Sequence, residues 1–199
     1  MQTAAAPLFL PFSAVILAGG RSTRMGRDKA RLELHGRPLL ARQIALARSL
    51  APVEVLISGR AETDYSDFGC PVLLDRMPDA GPLAGIAVAL EVARAPLVLV
   101  LAVDLPHLTP GVLERVLAAA GENRGVVPRV AGRVEPLAAL YPRSAALLAD
   151  EQLARQRFAV RDFAQVCAAA HLVRFLDLPV ECAGAFANWN TPEDLATST

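Results

Sequence analysis

The sequence predicts an α/β fold: a single domain built on a doubly wound, mostly parallel sheet. Three observations carry that expectation. Short apolar runs alternate with helical patterns along the 199 residues. One of them, Leu97–Val103, is unbroken aliphatic sequence, as in a strand covered on both faces. Another, Ser13–Ala18, runs into Gly19-Gly20, as a buried first strand does where the chain must turn beyond it.

The elements follow in order. Leu32 and Leu34 alternate briefly before Gly36. Pro38 suits the first turn of a helix through Leu50, because its missing N–H would find no partner there. Val53–Ile57 and Val72–Leu74 read as strands, and Leu83–Arg94 as a helix with Ile86, Leu90 and Ala93 on one side. Beyond the aliphatic strand, Thr109-Pro110 opens a helix to about Ala120. Val126–Val130 and Val134–Tyr141 read as strands joined at Ala131-Gly132. Helices around Ser144–Arg155 and Arg161–Ala170 follow, then a strand near Val173–Leu176. Asn190-Thr191-Pro192-Glu193-Asp194-Leu195 has the polar cap, the proline and the acids of a helix start. No Gly/Ser linker or internal repeat interrupts the pattern. Residues 1–199 are therefore expected to form one domain, with 1–12 as a flexible N-terminal extension.

Bulk properties narrow the function. Formal charge balances at zero, so no global basic field invites nucleic acid, and any anion site must be local. Cys70, Cys167 and Cys182 are far apart and form no CxxC, which points to reduced, packed thiols rather than a disulfide framework or a zinc site. The apolar stretch from Ala4 to Gly20 has no basic residue before Arg21 and is broken by prolines, unlike a secretory leader. Ala95–Val103 is too short to cross a bilayer. These features describe a soluble, cytoplasmic protein without membrane contact.

In doubly wound sheets ligands sit beyond the carboxyl ends of the strands, which singles out Gly19 onward and Asp104. Between Arg21 and Arg37 lie six basic residues against two acids, Asp28 and Glu33. Among the basic residues is Lys29, the only lysine in the chain. Gly19, Gly20 and Gly26 let the backbone turn and present N–H groups to an anion. Lys29 does not follow Gly26 directly, so the Walker spacing fails, and GxGxxG fails too. For any single arginine here a solvated surface role is the better reading. For Lys29 it is weaker, since a compact ammonium meets a phosphate as a point charge.

Asp104 follows seven aliphatic residues and precedes Leu105-Pro106. Read alone, it serves equally well as a turn cap or as a hard oxygen ligand for Mg²⁺. Asp75 ends another strand in the same way. "GPLAG", Gly81–Gly85, joins a strand-end loop to a helix whose N-terminus offers unpaired N–H groups. His35, His107 and His171 share no spacing and read as surface or packing residues. No side-chain nucleophile stands out, which favours direct transfer to a substrate nucleophile.

Taken together, LAGG-RSTRMG-RDK, then GPLAG, VDLP and NWNTPED resemble the molybdenum cofactor guanylyltransferases, nucleotidyltransferases with a Rossmann-like sheet of the nucleotide-diphospho-sugar transferase type. The resemblance covers nearly the whole chain. It implies transfer of GMP from GTP to the terminal phosphate of molybdopterin or its molybdenum-loaded form, with Mg²⁺. By it, Leu17, Ala18 and Gly19 contact GTP mostly through backbone, and the nucleotide set extends to Gly20, Arg24, Ser58, Gly81, Leu83 and Gly85. Lys29 holds the phosphates, Asp75 lies on the nucleoside side, and Asp104 binds Mg²⁺ and nucleotide, which makes Lys29 and Asp104 the catalytic pair. Asn188 and Asn190 face the pterin. Cofactor-delivery proteins and molybdoenzymes are the implied partners. Ser58 stands where the family often has asparagine, and VDLP replaces the commoner CDxP. The alternatives are a cytidylyltransferase, against which the second glycine of LAGG argues, another small-molecule nucleotidyltransferase of this fold, and a non-catalytic nucleotide-binding protein, against which retention of Lys29, Asp75 and Asp104 argues.

Overall fold

The structure, a computed structural model, describes residues 9–19, 28–77 and 79–189. Its first strand, β1 (Phe12–Leu17), is buried along its whole length. A two-residue pair, β2 (Glu33–Leu34) and β3 (Arg37–Pro38), turns through His35 and Gly36, both at positive φ, and leads into helix α1 (Leu39–Ser49). Pro38 caps that helix, one position earlier than expected. Strands β4 (Val55–Gly59) and β5 (Val72–Leu74) then run parallel to β1. Helix α2 (Pro82–Val92) returns the chain to β6 (Leu97–Ala102), which pairs with the other side of β1.

After helix α3 (Pro110–Ala118) come β7 (Gly125–Val130), β8 (Arg133–Val134) and β9 (Ala138–Pro142). Helices α4 (Ala146–Ala154) and α5 (Val160–Ala169) precede β10 (Val173–Leu178). The sheet order is β10-β7-β9-β6-β1-β4-β5, with β8 attached to β7. Apart from β8 and β9, its strands run in one direction.

The expected strand Val134–Tyr141 is two strands. Arg133–Val134 forms a tight hairpin with β7 across Ala131 and Gly132, both at positive φ, as a primed two-residue turn requires. Pro136 then interrupts, since it has no N–H to give to a ladder. The chain leaves the hairpin, and Ala138–Pro142 inserts antiparallel between β6 and β7. Of residues 1–12, Phe9 and Leu10 pack against the core and Phe12 belongs to β1. Residues 1–8 and the expected helix start from Asn190 lie outside the described residues.

Two cores cover the two faces of the sheet. Ala14 and Ile16 of β1, with Leu97, Leu99 and Leu101 of β6, face Leu40 and Ile44 of α1 and Leu113 and Val116 of α3. The intervening residues Val15, Leu17, Val98 and Val100 point the other way, onto α2, α4 and α5. Such strict alternation fixes register, because a one-residue slip would exchange the two faces. Each fully buried Val or Leu here contributes about 1.5–3 kcal/mol relative to exposure. The chain steps from β1 outward to β4 and β5, then crosses back to β6 on the opposite side. The order therefore reverses beside β1, and the crevice lies beyond the carboxyl ends of the paired strands.

Close packing of β7 on β9 depends on Gly125, where a Cβ would run into the Leu140 carbonyl. Backbone cannot rotate out of the way as a side chain can. Gly125→Ala is expected to cost about 1–3 kcal/mol in urea unfolding, the scale of overpacking. Wild-type stability of that variant would contradict the β7–β9 contact.

Candidate active site

The crevice opens into a cavity of about 590 Å³. Strand ends supply most of its wall: Leu17, Ala18 and Gly19 after β1, Ser58 to Arg60 at β4, Leu74 and Asp75 at β5, and Ala102 to Asp104 at β6. Gly81 and Pro82 add the N-terminus of α2, and Lys29, Glu62, Thr63, Asp79 and Leu137 complete much of the rim. Gly81 sits at φ 67°, a conformation that suits glycine, and no side chain caps the helix it starts. The positive end of α2 is thereby turned toward the cavity.

Lys29 reaches this place through a single 3-10 turn, Lys29–Arg31. Asp28 caps the turn, its Oδ1 accepting the Ala30 N–H at 3.0 Å. At the other end Arg31 donates to both carboxylate oxygens of Asp67 at 2.9 Å and to the Asp64 carbonyl at 2.7 Å, and its guanidinium lies over Phe68. That exposed ion pair adds little stability. Its value is geometric, since with Ala30 fully buried it leaves the turn little freedom.

The Lys29 ammonium lies 3.1 Å from Asp104 Oδ2 and donates to the Trp189 carbonyl at 3.0 Å. About a fifth of each side chain of the Lys29–Asp104 pair is exposed. The two opposite charges at the crevice fix each other in direction. Of the two readings open for Asp104, a turn cap receives no support: its carboxylate faces Lys29 and the cavity.

Across the cavity, Ser58 is buried at 2% exposure and its hydroxyl donates to Asp75 Oδ1 at 3.1 Å. Burial raises the Asp75 carboxyl above its ordinary range, while the Ser58 hydrogen bond and the Arg60 charge pull it partly back. Gly85 makes room for the pair, because a Cβ there would run into Ser58 Oγ. Gly85 thus stands behind the site, and Leu83 is wholly buried in the core; neither lines the cavity.

Lys29, Asp75, Asp104, Ser58, Gly81 and the Leu17–Gly19 backbone therefore meet in one crevice. Asn188 is exposed, next to the Trp189 that contacts Lys29. Gly20, Arg24 and Asn190 lie outside the described residues. Arg60 was not anticipated: its Nε donates to the Gly19 carbonyl at 2.6 Å and fastens the end of β1. Its position, directly after the β4 strand, carried the same strand-end signal that marked Asp75 and Asp104. His107 does pack, accepting the Trp189 indole N–H at 3.2 Å. The three cysteines are free, and burial pushes the Cys167 thiol up to about 12, leaving it inert.

Among the described residues no three His, Cys, Asp or Glu side chains converge on a metal position. One or two carboxylates with oxygen from substrate phosphates suffice for Mg²⁺, and Asp104 is a hard donor of that kind. No helix among the described residues is long and apolar enough to cross a membrane.

A doubly wound sheet with a lysine–aspartate pair at its switch point is the architecture of a nucleotide-handling transferase. The chain belongs to the MobA-like NTP transferase domain family, whose model matches residues 14–170. It is 38% identical over 185 residues to a probable molybdenum cofactor guanylyltransferase of Opitutus terrae, covering 92% of each chain. To the molybdenum cofactor guanylyltransferase of Pseudomonas aeruginosa it is 41% identical over 136 residues, covering 66% of this chain and 69% of that one. The fold is shared with the molybdopterin-guanine dinucleotide biosynthesis protein A of Archaeoglobus fulgidus, at a TM-score of 0.71 and 24% identity, covering 94% and 96% of the two chains.

The raised Asp75 carboxyl has a measurable consequence. From the ordinary value of 3.8 up to its higher folded value, the native state keeps a proton that the unfolded chain has released. Stability must therefore fall as pH rises through that interval. Urea midpoints measured across it should decline more steeply for wild type than for Asp75→Asn. Equal slopes would contradict the burial of Asp75.

Proposed function

We propose that this protein transfers GMP from GTP to the terminal phosphate of molybdopterin, and that Lys29 and Asp104 carry the reaction. The observation that supports this most is the Lys29–Asp104 pair, 3.1 Å apart at the switch-point crevice. The named activity of relatives that match over most of this chain points to the same substrates.

In the proposed reaction an oxygen of the acceptor phosphate attacks the α-phosphorus of GTP. The bond from that phosphorus to the oxygen bridging the β-phosphate breaks, and pyrophosphate leaves with its electron pair. The nucleophile is already an anion, so no strong general base is needed. This agrees with a crevice lined by no histidine. What the protein must supply is alignment and positive charge opposite the leaving oxygens.

Lys29 gives that charge from a turn held at both ends. The Ala18 N–H is held by the Ser58 carbonyl at 2.9 Å, so the Leu17–Gly19 backbone would shape the floor of the nucleotide's place while the open N-terminus of α2 offers it N–H groups. Ser58 spends its donor on Asp75, so this serine acts by orienting a carboxylate on the nucleoside side. Asp104 would hold Mg²⁺, which when bound neutralises phosphate charge as a Lewis acid. Asn188, exposed next to Trp189, would meet the pterin, and Asn190 is given the same role by the family motif alone. A soluble cytoplasmic enzyme that passes its product to delivery proteins or molybdoenzymes fits this reading.

The direct test offers molybdopterin with GTP or CTP, with and without Mg²⁺, and measures dinucleotide and pyrophosphate. Dinucleotide is expected only with GTP and Mg²⁺; preference for CTP would overturn the base assignment. Lys29→Ala should lower turnover by about 10²–10³-fold, the effect of removing one preorganised donor to developing charge. Asp104→Ala should abolish Mg²⁺-dependent turnover without unfolding the protein, and wild-type pyrophosphate release by it would sink the assignment.

A further inference from the structure

Lys29 is fastened by more than Asp104, and the second fastening belongs to a different part of the chain. Trp189 accepts from the Lys29 ammonium at its carbonyl, at 3.0 Å, and donates its own backbone N–H to the Asp104 carbonyl, also at 3.0 Å. One residue thus touches both members of the lysine–aspartate pair through its main chain. Its side chain is anchored separately. The indole is 7% exposed, belongs to the core beside α3, and donates Nε1–H to His107 Nε2 at 3.2 Å in an edge-on ring contact.

We propose that Trp189 and His107 form a positioning pair that sets where the Lys29 ammonium stands, a role that rests on the nucleotidyl transfer proposed above. A backbone carbonyl directs an ammonium only as well as its own segment is held. The 3-10 stretch before it, Val180–Phe186, ends at an exposed Ala187, and Asn188 is exposed as well. Phe186 buries its ring in the core at the end of that stretch, and beyond the exposed Ala187 and Asn188 it is the indole that holds the Trp189 peptide itself, with His107 at its polar edge. His107 follows Asp104 by three residues, so one short loop carries both the carboxylate partner of Lys29 and the anchor of its carbonyl partner. Asn188 lies on the same strap, so contact with an acceptor at that edge is passed to the lysine through one peptide unit.

Two variants separate positioning from packing. His107→Leu removes the acceptor, whereas His107→Gln keeps a carbonyl oxygen at similar reach. His107→Leu should lower kcat/KM about two- to tenfold, the worth of one hydrogen bond, and His107→Gln should restore most of it. In a Lys29→Ala background the loss caused by His107→Leu should shrink to a small remainder, the part that reaches Asp104 through the Trp189 N–H, since most of its influence passes through the lysine. Equal losses in both backgrounds would overturn the proposal and leave His107 a packing residue.

A readout independent of turnover comes from Trp189 itself, the only tryptophan in the chain. Acrylamide quenching of its fluorescence should rise in both Lys29→Ala and His107→Leu, because either change loosens the strap. Unchanged quenching in both overturns the coupling even if transfer is confirmed. Raised quenching without any dinucleotide product would instead uphold the coupling and refute the transfer.

Discussion

A single ammonium held 3.1 Å from a carboxylate beyond the carboxyl ends of two parallel strands organises this protein. The pair needs a crevice, and the crevice exists because strand order reverses beside β1. The reversal in turn needs helices on both faces, and the strict alternation of Ala14 and Ile16 with Val15 and Leu17 provides two separate cores for them. Sheet, cores and crevice thus form one chain of dependence. Arginine would not substitute for Lys29 simply: its planar fork needs more room and a different acceptor geometry from that which the Asp104 carboxylate and the Trp189 carbonyl present to a compact ammonium.

The two carboxylates of the crevice differ because their surroundings differ. Asp104 faces a cation and stands at the mouth, as suits a group that meets phosphates and a hard metal ion. Asp75 faces a hydroxyl, is more deeply placed, and is held above its ordinary range by burial. Gly85 permits this arrangement from behind, since any side chain there would displace Ser58. The glycine therefore matters to the site without lining it. Motif glycines serve two distinct ends here: Gly81 provides a backbone conformation at the cavity wall, and Gly85 provides space.

Much of this was legible in the sequence, because burial on both faces leaves continuous aliphatic runs and strand-end carboxylates follow them directly. β6 and Asp104 were readable for that reason, whereas β5, a half-exposed edge strand, was readable only as a short aliphatic run ahead of Asp75. The split of Val134–Tyr141 was less so: the proline that causes it was visible, but its consequence, insertion of β9 between β6 and β7, depends on long-range pairing. Arg60 occupies the same strand-end position, but an arginine after a strand is ordinary surface composition in a chain this rich in arginine, and its bond to the Gly19 carbonyl spans 41 residues. The contact of Trp189 with Lys29 spans 160 residues of chain and leaves no local pattern. Leu83 shows the converse error, a residue inside a motif whose side chain belongs wholly to the core.

The central claim is that charge at this crevice serves substitution at the α-phosphorus of a nucleotide. Turnover with GTP labelled at the α-phosphate, compared with GTP labelled at the γ-phosphate, tests it most directly. The α label should appear in the pterin dinucleotide and the γ label only in pyrophosphate. Transfer of the γ label to the acceptor, or its release as orthophosphate by the purified protein, would contradict the account.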